Sequence, residues 1–301
     1  MYRNIKKSWI IPALLLFVST GCNLFPDKDP IMTEGFNLKI GDAIVLTKNE
    51  IQYYDYSTHL IYLKSGVKLN AKELANQSFS IVCNKETIYE GIAFAKMDSL
   101  NENEVVLGFE GVNNQTLCLN KLNYFIEIYS DINDPRSDPR IEKALKVDLL
   151  YHAGLNCSID TIIRHSAIKI ELILDLKNND SFNYFYFDPE KMTTAELYSI
   201  SAGGLSLYET DFNFCSSIYI NATPPENLAC CGISDYVSLI KSGESKKLKI
   251  SYDNYPSIVT GEYIAVYPFS GAFYMNINEA SLENGRMWHG YYHIVRKVSI
   301  K

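Results

Sequence analysis

The sequence predicts a mainly β protein, and three features carry that expectation. Tyrosine is abundant, at 22 of 301 residues. Ile/Val/Phe-rich segments recur at short spacing between Asn, Asp, Gly and Ser clusters, the pattern of strands and turns. The apolar residues Ile168, Ile170, Leu172, Leu174 and Leu176 alternate with Lys169, Glu171, Asp175 and Lys177, as in a strand with one buried and one wet face. The β pattern is broken by one stretch with helical spacing, at Ile141, Leu145 and Leu149. The expectation is a small N-terminal β-rich (α+β) domain over 35–135, a linking helix over 136–153 and a C-terminal antiparallel β-sandwich over 154–301.

In the first half, Asn37–Ile40 and Ala43–Leu46 flank a tight turn at Gly41 and Asp42. Ile51–Tyr56 and His59–Lys64 form a hairpin around Ser57 and Thr58, and Phe79–Cys83 pairs with Thr87–Phe94 around Asn84 and Lys85. Residues 70–77 are a short helix candidate with Asn70 as N-cap, and strands at Val105–Phe109 and Tyr124–Tyr129 complete the domain. The doubled Asp-Pro-Arg of 134–140 marks the boundary. Asp138 can accept from free backbone N–H groups while Pro139 occupies the first helical position, so the second repeat starts a helix and Arg136 and Arg140 read as structural. In the second half, Asn178–Asp180 turns the chain into the aromatic run Phe182–Phe187. Lys241–Ser245 turns into Leu248, Ile250 and Tyr252, and Gly261–Glu262 opens a strand carrying Tyr263, Ala265 and Tyr267. Tyr292, Ile294, Val298 and Ile300 share one side of the last strand.

The N-terminus addresses the chain to the cell envelope. Arg3, Lys6 and Lys7 precede the apolar run Trp9–Val18, and the small residues Ser19, Thr20 and Gly21 lead into Cys22, the layout of a secretory signal peptide. Ten apolar residues are too few to span a bilayer. The STGC ending resembles the lipobox of bacterial lipoproteins, and Ser19 in place of the usual Leu is common among those of Bacteroidetes. The resemblance implies cleavage of 1–21, acylation of Cys22 and a place in the envelope, in the outer membrane, with residues 22–34 as a tether.

Charge fits that reading. The chain carries 28 Lys+Arg against 35 Asp+Glu, and losing Arg3, Lys6 and Lys7 with no acidic residue leaves 25 against 35, a net of −10. Such a surface is repelled from nucleic acid, so nucleic acid is excluded as a partner and lipid, not net charge, is expected to hold the protein at the membrane.

A wider resemblance follows from longer stretches. YDYSTHLIYL (54–63), SFSIVCNKETIYEGIAF (78–94) and DPRSDPRIEKAL (134–145) are similar to an uncharacterised domain of bacterial envelope proteins. HAGLNCSID (152–160), LKNNDSFNYFYFDPEKM (176–192), LIKSGESKKLKISYDN (239–254) and GRMWHGYYHI (285–294) resemble the partner sandwich of uncharacterised Bacteroidetes lipoproteins. The second half also has the outline of an immunoglobulin-like domain of the intracellular proteinase inhibitor type. The resemblance implies an immunoglobulin-like sandwich and brings no activity with it.

Motifs for chemistry are sparse. His289 and His293 stand four apart, but Gly290 and Tyr291 occupy the place where a zinc protease needs a Glu to activate water, and no third ligand is near in sequence. His59, His152 and His165 are isolated. Ser238 and Lys241 match S-x-x-K, and Lys241-Ser242-Gly243 imitates K-[ST]-G, yet both share Lys241 and cannot occupy separate elements. No nucleophile elbow or phosphate-cradling glycine pattern occurs. The expectation is a protein without catalytic residues, metal or cofactor.

Six cysteines follow Cys22, at 83, 118, 157, 215, 230 and 231. Export permits disulfides, and Cys215 with Cys230 or Cys231 is the candidate pair, its loop of about 15 residues worth roughly 3 kcal/mol. Two function classes remain. One is a non-catalytic binding or assembly module engaging an envelope protein. The other is a glycan-binding accessory lipoprotein of a polysaccharide-handling system, with Tyr54, Tyr56, Tyr184 and Tyr186 as stacking candidates; strand aromatics of that spacing also serve as core.

Overall fold

A computed structural model describes residues 34–94, 105–108, 116–121, 134–192, 204–210, 214–217, 235–253, 255, 258–271 and 283–301. The protein is mainly β. The first half contributes β1 (Phe36–Ile40), β2 (Ala43–Leu46), β3 (Ile51–Asp55), β4 (Leu60–Leu63), β5 (Ser78–Cys83), β6 (Glu86–Phe94), β7 (Val105–Gly108) and β8 (Thr116–Lys121). Together with β9 (Tyr151–His152) they form one sheet in the order β2-β1-β5-β6-β7-β8-β4-β3-β9. The hairpin turns are built from residues that tolerate left-handed backbone. Asn84 and Lys85 adopt φ of 51° and 71°, which matches the twist of β5 and β6, and His59 closes the β3–β4 turn at φ 56°.

The short helix α1 (Ala71–Leu74) is shorter than the 70–77 expected, and the Asn70 side chain makes no cap bond. The turn is closed instead through the Asn70 carbonyl, which accepts from the Glu73 and Leu74 N–H groups at 3.0 and 3.1 Å. Strand β8 was not foreseen, although Leu117 and Leu119 are buried in an alternating pattern. The strand expected at Tyr124–Tyr129 lies outside the described residues.

Helix α2 (Pro139–Val147) starts as its sequence predicts: Asp138 accepts from the Arg140 N–H at 2.8 Å, with Pro139 in the first turn. The expected linker is part of the first core, because Ile141, Ala144 and Leu145 are buried with Phe36, Leu38, Ile81 and Leu119 in one cluster. After the helix the chain returns to the first sheet. Strand β9 runs parallel to β3, pairing Tyr54 with Tyr151 and Asp55 with His152.

The second half contributes β10 (Leu155–Arg164), β11 (Ile170–Asn178), β12 (Tyr184–Phe187), β13 (Ser206–Tyr208), β14 (Phe214–Ser217), β15 (Val237–Ile240), β16 (Ser245–Tyr252), β17 (Gly261–Ser270), β18 (Arg286–Met287) and β19 (Tyr291–Ile300). A three-stranded sheet, β10-β11-β16, and a four-stranded sheet, β14-β13-β17-β19, share one buried cluster. Strands β10, β11 and β16 form one layer and β13, β14, β17 and β19 the other, which is a β-sandwich. A third sheet, β15-β12-β18, flanks them.

Side-chain alternation explains the packing. Ile170, Leu172, Leu174 and Leu176 are all fully buried, whereas Ile168 is 51% exposed because β11 begins two residues later, past the β10–β11 turn. In β10 a bulge near Asp160 shifts the inward parity from Ile159 to Ile162. The Arg296 guanidinium bridges that irregularity by donating to the carbonyls of Ile159 and Asp160. The two halves keep separate cores, yet residues 32–301 cluster as one unit.

Candidate functional site at the joint between the two halves

The densest convergence of rings and charges among the described residues lies where β9 hands the chain to β10. His152 ends β9, and Gly154 follows at φ 66°. A Cβ on Gly154 would stand 2.3 Å from both Asp55 Oδ1 and Ser57 Oγ, so only glycine lets the two halves approach here.

Asp180, in the turn after β11, gathers the joint's hydrogen bonds. It accepts from His152 Nδ1 at 2.8 Å, from the Gly154 N–H at 3.1 Å and from the Tyr184 hydroxyl at 2.9 Å. The turn is fixed from behind, since Asn178 Oδ1 accepts from the Asp180 N–H and Ser242 Oγ donates to the Asp180 carbonyl. Burial works to raise the Asp180 pKa, but these donors and His152 hold it well below the usual carboxylate range. Asp55 behaves oppositely. Burial and the nearby Asp180 charge push it up to about 6, against the lowering pull of the Ser57 N–H and hydroxyl at 2.9 and 2.6 Å.

Rings cover this polar centre. His152 stacks on Phe182 with centroids 3.9 Å apart, and the Arg286 guanidinium lies 3.6 Å from the Phe182 centroid and 5.0 Å from that of Tyr53. Tyr53 in turn stacks on Tyr62 at 4.0 Å. The segment before β19 closes the far side: a Cβ on Gly290 would meet Thr58 Cγ2 at 2.3 Å, and His289 is buried 6.3 Å from the Tyr62 ring. An Arg on two rings, a His on a carboxylate and a glycine under two side chains make a latch, each member already engaged by another.

Other sequence-level candidates fall in different places. Tyr54, Tyr184 and Tyr186 are at most 1% exposed, so they are core residues with no open face for a sugar, and only Tyr56 is half-buried. The cause is the strand parity that suggested them, which turns alternate rings inward. Tyr54 donates to or accepts from His59 Nδ1 at 3.0 Å, and burial pushes His59 down to about 3. His293 lies two residues into β19, with its ring centroid 5.2 Å from that of Tyr291. His165 faces Glu171 at 3.9 Å. Ser238 sits on β15 paired with Tyr186, and the Lys241 N–H is taken by Glu244. Arg136 binds the Asp134 carboxylate and the Leu119 carbonyl, and Arg140 joins Asp138 to Glu86.

Cys22, Cys230 and Cys231 lie outside the described residues, so the lipidation site and the expected disulfide do too; Cys215 is on β14. Cys83 and Cys157 are buried in the first and second cores, and burial pushes the Cys83 thiol up to about 12. The joint itself was missed at the level of sequence, because His152, Asp180, Phe182, Arg286 and Gly290 stand in distant parts of the chain and form no spacing motif.

No protein-family profile and no curated protein matches the chain. Among solved structures, it is similar to the ASH/PapD-like domain 7 of human CEP192 at 10% identity, with a TM-score of 0.23, over 50% of this chain and 85% of that one.

Proposed function

We propose that this protein is a lipid-anchored, non-catalytic binding or assembly module of the bacterial cell envelope, in which a rigid joint sets the direction of an immunoglobulin-like sandwich. The observation that carries the reading is the joint. His152 is hydrogen-bonded to Asp180 and the Arg286 guanidinium lies on the Phe182 ring, contacts that hold the geometry of the joint. The signal peptide and Cys22 supply the anchor, and the unidentified partner is an envelope protein.

The localisation half is tested with Cys22→Ala in cells. The variant should accumulate as unlipidated soluble or uncleaved chain; correct cleavage with continued membrane partitioning overturns the anchor. The partner half is tested by cross-linked pull-down from solubilised envelope alongside a glycan array. A specific protein partner supports the module reading, and saturable glycan binding without one replaces it by the accessory-lipoprotein reading.

A further inference from the structure

We propose that Asn284 is a site of spontaneous covalent modification, at which conversion to an isoaspartyl residue releases the Arg286 arm of the joint. The inference stands on the geometry of the joint and is independent of the envelope reading above.

The first observation is a dipeptide that the fold itself demands. Asn284-Gly285 is the one Asn-Gly pair in the 301 residues. Asn284 sits at φ 66°, left-handed backbone that asparagine tolerates better than most residues do. A Cβ on Gly285 would stand 2.8 Å from Phe185 Cε2 and 2.9 Å from Leu239 Cδ1, so packing keeps that position a glycine. Two separate structural requirements therefore place a backbone nitrogen without side-chain shielding next to a side-chain amide.

The second is freedom to react. Asn284 is exposed, and among the described residues neither its side-chain amide nor the Gly285 N–H is engaged in a hydrogen bond. The Gly285 nitrogen, having lost its proton to solvent, can attack Asn284 Cγ. The new C–N bond closes a succinimide ring, the bond to the amide nitrogen breaks, and that nitrogen takes a proton from solvent and leaves as ammonia. Water then opens the ring. Addition at Cγ gives aspartate, and addition at the main-chain carbonyl gives isoaspartate, whose main chain runs through Cβ.

The third is what a longer main chain does at this place. Asn183 clamps both sides of Gly285: its Nδ2 donates to the Asn284 carbonyl at 2.9 Å, and its own carbonyl accepts from the Arg286 N–H at 3.0 Å. Isoaspartate inserts one C–C bond, about 1.5 Å, between those two contacts. The clamp cannot hold at both points, so β18 slips against β12, where Arg286 pairs with Tyr184. The Arg286 guanidinium lies 3.6 Å from the Phe182 centroid, and His152 stacks on the same ring at 3.9 Å. A slip of one bond length takes the cation off the ring, and the freed carboxylate of residue 284 offers it a stronger partner.

The test ages the purified full chain in mildly alkaline buffer. Mass spectrometry with isoaspartyl methyltransferase labelling follows residue 284, and hydrogen exchange follows the joint. Asn284 should convert at least twofold faster than any other asparagine. The Arg286 and Trp288 amides, which donate to the Asn183 and Phe185 carbonyls, should exchange at least twofold faster in the aged chain. Asn284→Gly keeps the backbone angle and has no amide, so it should show neither change. Fresh Asn284→Asp adds the charge without lengthening the chain and should exchange like fresh wild type. Conversion no faster at Asn284 than at other asparagines overturns the site. Conversion with unchanged exchange at Arg286 and Trp288, or fresh Asn284→Asp exchanging as fast as aged wild type, overturns release by the longer chain.

Discussion

Leu149 and His59 are both non-glycine residues in left-handed backbone, and they differ in what holds them there. Leu149 is 87% exposed, so little burial offsets its strain, which for a left-handed L-residue is about 1–2 kcal/mol. Leu149→Gly should therefore raise stability, by about 1 kcal/mol after glycine's unfolded-state entropy is counted, as read by urea unfolding. A loss of stability would show that Leu149 packs within the fold. His59 is held by its bond to Tyr54, and its folded pKa near 3 lies below the ordinary value of 6.5. The unfolded chain takes up the proton first, so His59 costs stability as pH falls from about 6.5 towards 3. His59→Asn keeps a side chain suited to positive φ and should flatten that acid limb in unfolding curves measured between pH 7 and 4. An unchanged limb would place the titration elsewhere.

At the scale of elements, the sheet-to-sheet crossing depends on one position. Gly154 cannot hold a Cβ without striking Asp55 and Ser57, and its φ is left-handed as well. Gly154→Ala should cost more than about 1 kcal/mol, because both the steric and the backbone terms oppose it. Circular dichroism with thermal unfolding checks this, and a neutral result would mean that β9 and β10 can separate freely. Much at this scale was legible beforehand. Helix α2 was readable because Asp138 and Pro139 act through local chemistry, and β11 because its alternation is strict. Helix α1 ran shorter than its pattern, and β8 was overlooked because Thr116–Lys121 mixes polar residues with only two inward leucines. Ile168 was assigned inward on parity alone, and only the turn position of the neighbouring residues exposes it.

For the whole molecule, the joint couples stability to pH through two carboxylates with opposite signs. Asp55 has its folded pKa raised to about 6, so its contribution is greatest below about pH 4 and is lost as pH rises through 6. Asp180 is depressed, so its contribution is present above about pH 4 and is lost as pH falls further. Asp55→Asn retains an acceptor for Ser57 and removes the charge facing Asp180. The variant should be more stable than wild type at pH 7.5, with the difference shrinking towards pH 4. A constant difference across that range would argue against a protonated Asp55 in the folded protein.

What the sequence determined by itself is what local chemistry carries: the acidic net charge, the mainly β character, the start of α2 and the face of β11. Each follows from residue type and short-range spacing, which need no knowledge of distant contacts. The tertiary structure alone decided that Tyr54, Tyr184 and Tyr186 are core, that α2 belongs to the first half, and that Asp55, His152, Asp180, Phe182 and Arg286 meet. Those residues span 55–286, and their juxtaposition arises from β9 returning to β3 before the chain crosses into the sandwich. Spacing along a chain does not encode which distant strands pair, because that choice is made by the burial of whole sheets.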